Sequence, residues 1–80
     1  MRDRQIIGFR LRTLRERAGL RPAVLAQMVG CSEGHLRNIE GGRDQPGGIL
    51  TWALAKALDV EIDAFTELNE PVPDVESRTA

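Results

Sequence analysis

The chain has 80 residues and a mass of 8.9 kDa, enough for one small domain and too little for a two-domain enzyme. Its 41% hydrophobic and 29% charged residues, eight glycines and four prolines are those of a soluble globular domain, and its one cysteine, Cys31, closes no intrachain disulfide, so a reducing cytoplasm is expected. The formal net charge is −1, no apolar run is long enough to span a membrane, and the arginine-rich start leads into no signal-peptide core.

The first element is a helix. Ile7, Leu11, Leu14 and Ala18 recur at helical spacing with arginines on the other faces, and the stripe ends at Gly19. Pro22 then suits a first helical position, because its missing donor would have no partner there, and a second helix follows over Pro22–Val29 with Val24, Leu25, Met28 and Val29 as its apolar side. Gly30 stands where a helix end often needs positive φ, and Ser32 is a good N-cap for a third helix, Glu33–Glu40. Two short helices joined by a glycine-containing turn are the helix-turn-helix pattern.

Gly41 and Gly42 close the third helix, and 43–48, with Pro46, reads as irregular loop. A fourth helix is predicted over 49–58, with Leu50, Leu54, Ala57 and Leu58 on one side and Trp52 pointing elsewhere, and a short fifth over 62–68 that buries Ile62 and Phe65. No stretch alternates with period two for long enough to predict a strand. The domain is expected to span 4–69, and 70–80, proline-containing and acidic without periodicity, reads as a flexible tail.

Charge is polarised along the chain. Residues 1–21 carry seven arginines against Asp3 and Glu16, whereas 47–80 carry Lys56 and Arg78 against seven acids. A basic surface for a polyanion, with an acidic surface turned away, and a solvated arginine-rich helix followed by an acidic tail fit this equally.

The residues resemble the lambda-repressor-like helix-turn-helix domains of the Cro and xenobiotic-response-element type. The resemblance rests on four blocks: Ile7-Gly8-Phe9-Arg10-Leu11-Arg12-Thr13-Leu14-Arg15, Leu25-Ala26-Gln27-Met28-Val29-Gly30-Cys31-Ser32, Leu36-Arg37-Asn38-Ile39-Glu40-Gly41-Gly42, and Pro46 with Ala55-Lys56-Ala57-Leu58-Asp59-Val60. It implies an all-α five-helix domain, 4–69, that binds operator DNA, usually as a homodimer, regulates transcription as a repressor and needs no cofactor. It also makes Arg15 and Glu40 a structural salt bridge between the first and third helices. Two departures stand out. Pro22 replaces a polar residue, typically glutamine, and Gly48 and Thr51 stand at places the family fills with apolar side chains, which suggests a late start or a shifted register for the fourth helix.

In the third helix, Leu36, Ile39 and Glu40 share one side, and Gly34, Asn38 and Gly41 the other, with Arg37 and His35 flanking. Docked N-terminus first in a major groove, this helix would present Glu33 and Gly34 from its first turn and Arg37 and Asn38 from its second. Asparagine pairs with adenine and arginine with guanine, so Arg37 and Asn38 are the expected base readers. Gly34 reads no base but permits close approach, or is simply a glycine near a helix start. Glu33 either accepts from cytosine or complements the helix dipole. Backbone contacts are expected from Arg21, Gln27, His35 and Arg43, with Arg10 and Arg12 adding longer-range attraction.

Catalysis and metal binding have little to work with. Cys31 and His35 supply two of the four ligands of a closed zinc site, no glycine-rich phosphate loop precedes a lysine, and Cys31 is expected to tuck inward. The rival reading is a helix-turn-helix that binds a protein partner, as antitoxin-like or anti-repressor modules do, through Trp52 or the acidic C-terminal half. A DNA-bound dimer would use the fourth and fifth helices, with Trp52, Ile62 and Phe65 at the contact.

Overall fold

Leu11, Leu25, Leu36, Ile39, Leu54 and Phe65 are fully buried, and the elements that supply them wrap this single core. The computed structural model describes residues 3–69, so the expected tail, 70–80, lies outside the described residues. Strand β1 (Asp3–Ile6) precedes helices α1 (Gly8–Arg17), α2 (Pro22–Val29), α3 (Glu33–Glu40) and α4 (Gly48–Leu58). A 3-10 turn (Ile62–Ala64) and strand β2 (Thr66–Asn69) follow.

The helix ends obey local chemistry. Arg21 is extended before Pro22, which opens α2, and Gly30 adopts φ 80°, which turns the chain so that the next N–H, that of Cys31, returns to the α2 carbonyl of Ala26 at 3.0 Å. A side chain with a Cβ rarely takes that conformation. Two residues later the Ser32 hydroxyl accepts the His35 N–H at 3.0 Å, a cap worth about 1 kcal/mol. α3 ends at Gly41, and α2 packs against both α3 and α4.

Several expectations are corrected. Four α-helices are present among the described residues, not five, and the domain is mostly helical rather than all-α. β1 and β2 pair antiparallel with Ile6 opposite Thr66 and Asp3 opposite Asn69. The segment predicted as a fifth helix over 62–68 stops after one turn. The Thr66 hydroxyl donates to the Ile62 carbonyl at 2.8 Å, and Thr66 itself opens β2. The Phe65 carbonyl accepts the Ile7 N–H at 2.8 Å, which starts the ladder between the strands.

The apolar side of α2 is Leu25, Ala26 and Val29, whereas Val24 and Met28 are exposed. α4 begins at Gly48, one residue earlier than predicted, and buries Thr51, whose hydroxyl donates to the Gly47 carbonyl at 3.0 Å. That bond lets a hydroxyl occupy a core position without an unpaired donor.

The outer edge of β1 is finished by a side chain. The Gln45 amide, from the loop between α3 and α4, accepts the Ile6 N–H at 2.8 Å and donates to the Ile6 carbonyl at 2.9 Å. Its two bonds reproduce those of a third strand, which ties the N-terminal strand to the segment that follows α3.

Candidate nucleic-acid interface

The site is built outward from the junction of α1 and α3. The Arg15 guanidinium grips Glu40 with two bonds, Nε to Oε2 at 2.7 Å and Nη2 to Oε1 at 3.2 Å, and Nη1 donates to the Leu20 carbonyl at 2.8 Å. Both side chains are more than 90% buried. Hydrogen bonding to Glu40 raises the Arg15 pKa above its ordinary value, outweighing the opposing effect of burial. The pair spans the first and third helices as the resemblance implies.

Leu36 and Ile39 fix the rotation of α3 by entering the core. The opposite face is left uncovered. Gly34 lies at its centre, with open space where a Cβ would stand; Arg37 is exposed and Asn38 and Glu33 are half-buried at its margins. The Arg37 guanidinium turns back one helical turn toward the start of α3, donating to Glu33 Oε2 from Nε at 3.1 Å and from Nη2 at 2.6 Å.

The Asn38 carbonyl accepts the N–H groups of Arg43 at 2.8 Å and Asp44 at 3.2 Å, so the loop carrying Arg43 is folded against the end of α3. His35 Nδ1 lies 3.3 Å from Asp44 Oδ2. Arg12, Arg15, Pro22, Arg37, Glu40, Gly41 and Arg43 line a cleft of about 440 Å³ beside the exposed face. Three of its four arginines are engaged by carboxylates, Arg12 by Glu16, Arg15 by Glu40 and Arg37 by Glu33, so Arg43 is the cleft arginine with no ion pair among the described residues.

The candidate backbone contacts Arg21, Gln27 and Arg43 are all exposed, and neither arginine makes an ion pair among the described residues. Arg10 differs. Its Nη2 lies 3.1 Å from Glu67 Oε2 on β2, and Arg4 pairs with Asp63, so part of the basic N-terminal charge is spent on the acidic C-terminal segment. Basic and acidic parts of the chain are therefore stitched together at one side of the domain rather than held apart.

Phe65 is fully buried and cannot serve the dimer contact expected of it, and Ile62 is partly buried against the core. Trp52 is 61% exposed and Ile49, which the sequence did not single out for contact, is 91% exposed. Cys31 is half-buried against the core, and burial raises its thiol pKa. Among the described residues no group of three His, Cys, Asp or Glu could hold a metal ion, and no helix is long and apolar enough to cross a membrane.

Two supporting residues have no clear sequence signal. Gln45 is one polar residue in a polar loop. Gly8 is the other: a Cβ there would fall 2.6 Å from the Ile39 carbonyl oxygen and closer still to that of Glu40. Only a glycine lets the start of α1 reach the end of α3 this closely.

A sequence profile of the helix-turn-helix domain matches residues 6–68. The restriction-modification controller protein C.AhdI from Aeromonas hydrophila superposes with a TM-score of 0.70 at 33% identity, over 72% of this chain and 88% of that one. The P22 c2 repressor, solved in complex with a synthetic operator, gives a TM-score of 0.69 at 36% identity, over 74% of this chain and 89% of that one. SinR, a master regulator for biofilm formation solved in complex with DNA, gives 0.68 at 25% identity, over 72% and 94%. No curated protein sequence matches the chain. The chain belongs to the helix-turn-helix domain family, in its lambda-repressor-like, xenobiotic-response-element branch. Its architecture is that of DNA-binding transcription regulators rather than of an enzyme class.

Proposed function

We propose that this protein is a sequence-specific repressor that inserts α3 into the major groove of operator DNA. The observation that carries the reading is the outer face of α3, with Gly34 and Arg37 exposed and Glu33 and Asn38 half-buried, flanked by Arg21 and Arg43, exposed cations with no ion pair among the described residues. Asn38 reads adenine and Arg37 guanine, while Gly34 lets the backbone come near the base edges. Arg21, Gln27, His35 through its free ring nitrogen, and Arg43 hold the phosphates. The P22 c2 repressor and SinR, both solved with DNA, lend the reading support.

One copy presents a small surface, so two copies bind half-sites about 34 Å apart as a two-fold dimer. Ile49 and Trp52 on α4 are the apolar side chains that such a dimer covers. The test is selection of bound duplexes from a random pool, followed by affinity against salt. A steep fall with salt and a recovered consensus are expected. No consensus and a flat salt response would move the assignment to a protein partner at Trp52 or the acidic C-terminal half.

A further inference from the structure

Glu33 is an acid on the face that would meet DNA, and its carboxylate is already engaged. Arg37 Nε and Nη2 both donate to its Oε2, four residues back along α3. A guanidinium has two edges that form a bidentate fork. The Nε/Nη2 edge is occupied here, while Nη1 and the second Nη2 hydrogen make no bond to the described residues. That remaining end-on edge matches the O6 and N7 acceptors of guanine.

We infer that Glu33 is a positioning residue: it holds the Arg37 guanidinium so that its end-on edge meets guanine, and its charge keeps that guanidinium off the phosphates. The inference rests on the DNA-binding reading above and adds the reason this face discriminates. In water an exposed pair of this spacing contributes little. Docking in a groove removes water from both partners, which strengthens their attraction and holds the fork in one orientation. Arg37 already stands at the edge of the cleft that Arg12 and Arg43 line, and without Glu33 its guanidinium would be free to turn to a phosphate there, which carries no sequence information.

The experiment compares the full chain with Glu33→Gln, Arg37→Ala and the double variant on the duplex selected by the unaltered protein, on its three single-base variants at each position, and on random duplex. Thermal melts run alongside. Glu33→Gln is expected to melt like the parent, to lose about tenfold in guanine preference at one position, and to bind random duplex more tightly. Arg37→Ala should lose the same preference at the same position, and adding Glu33→Gln should then change it no further. Intact preference in Glu33→Gln would overturn the inference, as would a change at a position Arg37→Ala leaves alone. A uniform loss on every sequence for Arg37→Ala would place the guanidinium on a phosphate and overturn it too. Absence of any preferred duplex for the parent protein would defeat both this role and the function it rests on.

Discussion

Gly8 sits with its α-carbon against the backbone of Glu40, so that α1 starts where α3 ends with no side chain between them. The contact joins the helix that carries Arg15 to the helix that carries its partner. A methyl at Gly8 meets carbonyl oxygens that cannot swing aside. Gly8→Ala is therefore expected to destabilise the domain by about 1–3 kcal/mol despite alanine's better helix propensity. Urea unfolding measures this, and a midpoint at or above that of the parent would contradict the contact.

Breaking the Arg15–Glu40 pair strands a charge under the junction. Arg15→Ala should cost about 3–5 kcal/mol, well beyond the effect of an exposed pair such as Arg12–Glu16. Replacing both partners, Arg15→Met with Glu40→Leu, should recover part of that loss. The recovery is incomplete because the Leu20 carbonyl still lacks its donor. Equal melting temperatures for Arg15→Ala and the parent would remove the pair from the fold's support.

Asn38 and Arg43 share a backbone bond but should differ in their effect on DNA binding. Asn38→Ala is expected to relax preference at one base position, by about 1–3 kcal/mol of discrimination. Arg43→Ala should weaken all sequences alike and lower the salt slope by about one. Binding isotherms on the selected duplex and its single-base variants, at several salt concentrations, separate the two. Matching profiles for both variants would count against Asn38 as a reader.

Burial raises the Cys31 pKa, so the folded protein holds the thiol proton more tightly than the unfolded chain does. Stability from this group is complete below the unfolded thiol's pKa and is lost as pH climbs through the higher folded value. Thiolate alkylation should accordingly show its pH midpoint at a higher pH in native protein than in urea. Coincident midpoints would mean that the Cys31 environment is as wet as the open chain.

The helix-turn-helix is legible in the sequence because each boundary carries its own chemistry: Pro22 opens α2, Gly30 closes it with positive φ, and Ser32 caps α3. The face of α3 is legible too, since Leu36 and Ile39 fix its rotation. The strands are not. Four residues allow too little alternation to register, and β1 is finished by Gln45, 39 positions from Ile6. The buried face of α2 is only half legible: Leu25 and Val29 enter the core as expected, but Val24 and Met28 are about as apolar and only the packing of α3 and α4 leaves them outside and brings Ala26 in. The charge polarity was visible, but not that Arg10 reaches Glu67, because that pairing depends on the strands.

Asp3 faces Asn69 across the two-stranded sheet, so the two ends of the described region lie side by side, about 5.5 Å apart for a bonded pair. A unit with such a narrow doorway can be spliced into a surface loop of an unrelated host without prying the host open. Transplanted in that way, it would leave the exposed side of α3 open to solvent while both seams stay beside the sheet.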